Sequence, residues 1–484
     1  MGSGSSVVPV LFESQGRLGE WITLSHCWGN VQPVTLTTSN INARRAGIPL
    51  DTLSPLFRDA VVITRGLGYR YLWIDSLCIL QDSHEDWTSE AADMGYIFKH
   101  SSLTIAAQAS QDCHDGILSS SNRDWPDLSK WISLPCHSSN RRLSGKVYVQ
   151  RSSKAPQVRN FLRNRAWTLQ EEILPARVVD WNSRGLQWRC RSAHYDEDLS
   201  YGRGLEYRDL YNIAQIFKRV CLSRSAFDDS RLTQRSFHSL NLSKEAMRIW
   251  YNILSNYMSR AITHHADRLP ALSGVAREIA RLTGYRYLAG LWKEDMISCL
   301  LWSTSDMPAR RLESNPSWSW ISIEIDTSSI SPTERTSFSS RSSVFKPLIE
   351  ILGVNVQLAS EDTFGQIKSA RLHIRGLIGF LPNPGSFLGG LSWEEASKKI
   401  NWKMDCFSDF EDLDFLDPND FTFLQVSHTI TAAGLDPPIE AEAVICLVLT
   451  PTGDNDVEFN RVGLAYVPQS LMRGRFVVKN IAIV

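Results

Sequence analysis

His26, Asp75, Cys78 and Glu171 are the side chains of this sequence whose types and settings could do acid–base or nucleophilic chemistry. Asp75 closes the apolar run Tyr71-Leu-Trp-Ile, and His26 follows Ile22-Thr-Leu-Ser. Each stands where a buried strand would end, the place at which a parallel sheet delivers side chains to a crevice. Glu171 comes four residues after Trp167 in Arg165-Ala-Trp-Thr-Leu-Gln-Glu-Glu-Ile-Leu-Pro-Ala-Arg177. On a helix that spacing puts the two on one face, a turn apart. A carboxylate beside a large aromatic ring is partly desolvated, and its pKa rises toward the range useful for proton transfer. Spacing alone favours a plainer arrangement, with Trp167 in a core and Glu171 or Glu172 an acid on the helix surface. The others are ambiguous too. Asp75 fits a cap or turn, and His26 fits a hydrogen-bonded core histidine. Cys78 is a nucleophile only if a base such as His26 approaches it, and is otherwise a packed thiol. Asp82, His84 and Glu85 match no metal-ligand spacing, so no metal is expected. Neither G-x-G-x-x-G nor a Walker A loop occurs, which disfavours a Rossmann dehydrogenase or a P-loop ATPase.

Bringing these residues together requires a scaffold, and the apolar periodicity supplies one. Trp21 to Trp28 is apolar and β-prone and ends at Gly29. Leu56, Ala60, Ile63 and Leu67 follow a helical spacing, with Ser54 as N-cap and Gly68 as stop. Arg70 to Asp75 reads as a second strand, Glu85 to Lys99 as a second helix and Leu103 to Ala107 as a third strand. Strand, helix, strand, helix, strand implies right-handed crossovers and an α/β fold with a parallel sheet. The pattern is lost over residues 108–164, apart from a strand at Val147-Tyr-Val149, so this long insertion is a candidate lid. It returns with a helix from Ala166 to Leu174 and strands at Arg177–Trp181 and Gly185–Cys190.

Residues 1–20 read as a leader, opening on a cloning scar or flexible Gly/Ser stretch, and residues 21–200 as one α/β domain. Residues 201–322 read as a helical region, 323–344 as a mobile Ser/Thr-rich linker, and 345–484 as a β-rich, antiparallel C-terminal module. Within that module, the acidic stretch from Asp405 to Asp420 lacks EF-hand spacing and reads as a solvated loop.

With 484 residues, 43% hydrophobic and 21% charged, the chain is long enough for two or three cores. A net charge of −1 gives no field to attract nucleic acid or anionic lipid. Nine cysteines without a Cys-x-x-Cys pair suggest neither a disulfide framework nor a zinc ribbon, which fits a reducing, cytoplasmic setting. No apolar run is long enough to span a membrane, and none reads as a signal peptide.

Beyond spacing, three blocks carry a resemblance. Leu24-Ser-His-Cys-Trp-Gly29, Leu72-Trp-Ile-Asp-Ser-Leu-Cys-Ile-Leu-Gln-Asp82 with Glu85 and Met94-Gly-Tyr-Ile-Phe98, and Arg165-Ala-Trp-Thr-Leu-Gln-Glu171 resemble, in order, the blocks of the fungal heterokaryon incompatibility (HET) domain. Leu80 and Gly95 depart mildly from the usual pattern. Ala266 to Gly274, Gly290 to Trp292 and Pro316 to Trp320 resemble the C-terminal halves of such proteins. The resemblance implies a distant likeness to Toll/interleukin-receptor (TIR) domains, hence a flavodoxin-like parallel sheet. It also implies a catalytic role for Glu171, since Trp167-Thr-Leu-Gln-Glu171 is similar to the segment whose glutamate supports NAD cleavage in enzymatic TIR domains. Ser25, His26 and Asp75 would line the same crevice and hold ribose or phosphate, with Trp28, Trp73, Cys78, Gln81, Arg165 and Trp167 completing the substrate site. NAD is then a substrate, and no prosthetic group is implied. On a small organic substrate, Glu171, Asp75 or His26 would instead act as acid and base. The readings carried forward are an NAD glycohydrolase of non-self recognition and cell death, a stand-alone enzyme of fungal secondary metabolism working on a small organic molecule by acid–base chemistry, and a non-enzymatic signalling scaffold. The partners expected are a small-molecule substrate and further copies of the chain.

Overall fold

Ile22 and Leu24 are buried in β1 (Trp21–Ser25), a strand of the first of two compact units, Met1–Gly204 and Leu205–Val484, in a computed structural model. The structure describes residues 8–29, 33–118, 131–137, 144–150, 160–183, 185–197, 214, 216–217, 235–304, 309–325, 346–380, 401–406, 421–429, 443–453, 457–469, 472 and 476–484.

In the first unit β1 is followed by α1 (Ile41–Ala46), α2 (Pro55–Gly66), β2 (Tyr71–Trp73), α3 (Asp75–Cys78), α4 (His84–His100) and β3 (Leu103–Ala106). Pro55 opens α2, where a missing N–H costs nothing, and Ser54 stands at its N-cap. Ser83 caps α4 by accepting from the Asp86 amide. The described part of the insertion contains a hairpin, β4 (Trp131–His137) with β5 (Ser144–Gln150), which includes the expected strand at Val147–Val149. The rest of residues 119–159, and with it the lid reading, lies outside the described residues. Then come α5 (Thr168–Ile173), β6 (Arg177–Asn182), β7 (Gly185–Cys190) and β8 (His194–Asp196).

The sheet runs β2-β1-β3-β6-β7-β8, parallel through β6 and antiparallel beyond it. It is therefore mixed, with the parallel part where the sequence placed it. The pleat sorts side chains by parity. Ile22 and Leu24 share a core with Leu56, Phe57 and Ala60 of α2. On the other face Thr23 Oγ1 hydrogen-bonds Thr104 Oγ1 (2.7 Å), and Trp21 Nε1 donates to the Ile97 carbonyl of α4 (3.2 Å). Two elements are shorter than expected. Pairing of β1 stops at Ser25, whose carbonyl takes the Ala107 amide (3.0 Å) as β3 turns away, leaving His26–Trp28 as loop. The helix expected over Ala166–Leu174 is Thr168–Ile173, with Trp167 and Leu174 as its caps and Pro175 ending it. Residues 8–12 of the expected leader pack on this unit: the Leu11 amide donates to the Arg44 carbonyl (2.9 Å), and Phe12 stacks on Tyr71.

The second unit opens with α6 (Arg235–Met258) and α7 (Pro270–Thr283), which bury Trp250, Ile253, Leu254 and Tyr257. Short antiparallel pairs follow, β9 (Tyr287–Leu288) with β10 (Leu291–Trp292), and, after α8 (Met296–Cys299), β11 (Ala309–Arg311) with β12 (Ile323–Ile325). The expected linker thus begins with a strand, and residues 326–344 lie outside the described ones.

The C-terminal sheet contains β13 (Lys346–Pro347), β14 (Glu350–Leu358), β15 (Ile367–Gly379), β16 (Asn401–Met404), β17 (Thr422–Thr429), β18 (Ala443–Pro451), β19 (Glu458–Pro468) and β20 (Phe476–Ile483). Because β15 pairs with both β17 and β20, the strands β15-β17-β18-β19-β20 close into a ring. A ring with an odd number of strands cannot alternate direction throughout, so one neighbouring pair must be parallel. That pair is β19–β20, where a wholly antiparallel module was expected. Phe421, Phe423, Val444, Val448 and Val467 pack as its core. Asp405 of the expected acidic loop is buried, and residues 407–420 lie outside the described ones.

Candidate functional site

From β1 the chain moves to β2 on one side and then to β3 on the other, so the sheet's switch point lies between the carboxyl ends of β1 and β3. Open parallel sheets hold their ligands there. Ser25 and Ala106 are the last residues of these strands. With Gln108, Arg163, Glu171, Glu172 and Arg189 they line a recess of about 10 Å³, the room one water needs.

Every residue of α5 is buried, Glu171 and Glu172 included. These adjacent carboxylates differ in their surroundings. Glu172 Oε1 accepts from Arg163 Nη2 (3.1 Å) and Arg189 Nη1 (3.2 Å). Arg189 also grips Asp180 in a two-point fork, through Nε and through Nη2 (2.7 Å to Oδ1). Burial opposes the charge of Arg189, but Asp180 and Glu172 together hold its pKa above the ordinary arginine value. Glu172 thus belongs to an ion-pair network that forms one wall of the recess. Glu171 lies at the recess and within electrostatic reach of Cys27, whose thiol burial pushes up to about 11.

His26, the residue after Ser25, belongs to a second group. It is buried edge-on against Phe57 (5.1 Å), with Nδ1 3.6 Å from Asp75 Oδ1. Trp28 Nε1 donates to Asp75 Oδ2 (2.9 Å), and the Ser76 amide to Asp75 Oδ1 (2.7 Å). Burial lowers the His26 pKa, Arg165 adds to this, and Asp75 opposes it. The imidazole is therefore neutral at pH 7. Arg165 ties the two groups together: its Nη1 donates to the His26 carbonyl (3.0 Å), and its guanidinium reaches the Cys27 thiol.

Of the residues singled out in the sequence, Ser25 and Glu171 meet at the recess, while His26, Trp28 and Asp75 meet behind Arg165. The others form the surrounding frame. Trp73 packs edge-on against Phe98 (5.5 Å), and Trp167 against Trp87 of α4 (6.1 Å). Gln81 Nε2 donates to the carbonyls of Asp75 (3.3 Å) and Ile79 (3.0 Å), bracing the loop after α3. Burial pushes the Cys78 thiol up to about 12, so it is not a thiolate at neutral pH.

The family model described as Heterokaryon incompatibility protein (HET) matches residues 21–171. This part of the chain is a HET domain. Its match ends on Glu171 itself. No curated protein and no solved structure matches the chain.

The HET match stops short of Glu172 and Arg189, which line the recess, and of Asp180, which Arg189 grips. Sequence reasoning also passed over Gln108 and Arg163. A signal was present for two of them. Asp180 and Arg189 are opposite charges inside consecutive apolar strands, and β6 pairs Asp180 with Gln187 and Val178 with Arg189. That register sets the two charges diagonally on one face, within reach of a long side chain. Among the described residues no group of His, Cys, Asp and Glu is arranged to hold a metal ion, and no described helix is long and apolar enough to cross a membrane.

Proposed function

We propose that the HET domain is an NAD glycohydrolase-type enzyme acting in fungal non-self recognition and cell death, with Glu171 as its catalytic carboxylate. The observation that carries this reading is the place of Glu171: it is buried on α5 and lines, beside Ser25, a recess at the switch point of the sheet, while Glu172, at the same recess, forms ion pairs with two arginines. The strand order β2-β1-β3-β6 is the one expected of a flavodoxin- or TIR-like sheet, which supports the likeness on which the NAD chemistry rests. Because the recess admits only one heavy atom, the substrate ribose sits at its mouth. As the bond between ribose C1′ and the pyridinium nitrogen breaks, the electron pair leaves with nicotinamide. The sugar becomes oxocarbenium-like, and a nearby desolvated carboxylate stabilises that charge more strongly than water would.

The test is release of nicotinamide from NAD by the full chain at low and high protein concentration. Glu171→Gln, which keeps shape and removes charge, is expected to lose at least about a hundredfold in rate. A Glu171→Gln protein as active as wild type would refute the role. The buried His26–Asp75 pair favours a second reading, an acid–base enzyme of secondary metabolism acting on a small organic molecule. NAD left intact at every concentration would favour that reading. Intact NAD together with concentration-dependent oligomers on sizing would favour a scaffold.

A further inference from the structure

The recess has a feature that the catalytic carboxylate does not explain. Gln108 is buried two residues beyond β3, and its Nε2 donates to Asp180 Oδ1 (3.0 Å). A carboxylate only accepts, so this bond fixes which end of the amide is which. Oε1 is therefore an acceptor, and no donor among the described residues reaches it. A buried acceptor left without a donor destabilises the fold unless a guest supplies one. The same side chain lines the recess, whose volume of about 10 Å³ suits one water. Ser25 and Glu171 line it too.

We infer that this recess is a binding site for a single water, held between Gln108 Oε1, Ser25 and Glu171, and that this water is the nucleophile of the hydrolysis. The second half rests on the NAD reading above; the first does not. The water donates one proton to Gln108 Oε1 and the other to Glu171, which turns its lone pairs away from both acceptors. The lone pair facing the mouth attacks ribose C1′ as the C1′–N bond breaks. The oxygen's proton passes to the Glu171 carboxylate and then to solvent, and nicotinamide leaves as a neutral molecule. The products are ADP-ribose, nicotinamide and one proton, so atoms and charge balance. Gln108 is a positioning residue in this scheme and Glu171 the catalytic one. The scheme also accounts for the Gln108–Asp180 bond: Arg189 holds Asp180, Asp180 holds the amide nitrogen, and the amide oxygen is left to accept from the guest.

Two measurements on the full chain test this. Crystals that order their waters are expected to show one water within about 3.2 Å of Gln108 Oε1 and of a Glu171 oxygen. A recess that is empty, or filled by a rotated side chain, would overturn the site. The second measurement offers the enzyme NAD with 3-acetylpyridine as a competing nucleophile and follows hydrolysis against base exchange. Gln108→Leu and Ser25→Ala are each expected to lower the ratio of hydrolysis to exchange by about tenfold, because the pyridine does not need the water's place. Structural damage alone lowers both products together and leaves the ratio fixed, which would overturn the positioning role. If wild type releases no nicotinamide, the NAD reading and the nucleophile role fall together, and the crystal decides the water site alone.

Discussion

A buried histidine kept neutral makes folding depend on pH. His26 has an ordinary pKa of 6.5 when unfolded and a lowered one when folded. Above pH 6.5 both states are neutral and His26 contributes no pH dependence. Below it the unfolded chain takes up a proton that the folded chain refuses, so stability falls as pH falls. The slope approaches about 1.4 kcal/mol per pH unit until the folded pKa is reached. Urea unfolding of wild type and His26→Gln between pH 7.5 and 5 is expected to show a shallower dependence in the variant. Equal slopes would mean that His26 is protonated or exposed in the folded chain. The imidazole's neutrality could not be read from Ser-His-Cys, because it depends on Phe57 and Arg165, remote in sequence. Glu171 was legible as a candidate from its place after Trp167. The ion pairs of Glu172 were not, since Arg189, one of its two partners, comes from another element of the fold, β7.

A six-residue helix has almost no stability of its own, so α5 depends on what anchors it. Leu169 and Ile173 are buried, and the Thr168 hydroxyl donates to the Arg165 carbonyl (2.8 Å). The Arg163–Glu172–Arg189–Asp180 network ties the helix to β6 and β7. Arg189→Met deprives Asp180 of its cation and Glu172 of one of two, and is expected to cost about 3–5 kcal/mol of unfolding free energy. Arg163→Met, nearer solvent, is expected to cost less, and the reverse order in denaturant titrations would contradict this account of the network. Apolar periodicity made β1, α2, β2, α4 and β3 legible to within a few residues, because each buries one face and its period survives in the sequence. Pairing beyond the strands did not survive in this way. The antiparallel β7–β8 extension and the closure of β15 on β17 are long-range choices that no local pattern encodes.

Each unit carries a buried ion pair within its own core. In the second, Arg461 is fully buried over the Trp302 ring (3.6 Å). Its Nε and Nη2 each reach an Asp405 oxygen at 2.9 Å, and Nη1 and Nη2 donate to the carbonyls of Leu300 (2.7 Å) and Trp302 (2.6 Å). Burial lowers the Arg461 pKa while Asp405 opposes the shift, so the charge survives because the carboxylate is there. These contacts bind β19 to the segment after α8 and to β16, joining the closed ring to the helical part of its unit. Removing either member leaves the other charged and desolvated, again at about 3–5 kcal/mol. Units with separate cores unfold as separate cooperative steps unless their interface is large and apolar. Calorimetry of the full chain is therefore expected to show two transitions. Arg461→Met should lower one of them by several degrees, and Arg189→Met the other. If either variant moved both transitions equally, the chain would be folding as one cooperative block. The HET domain and its recess could then not be treated as energetically separate from residues 205–484.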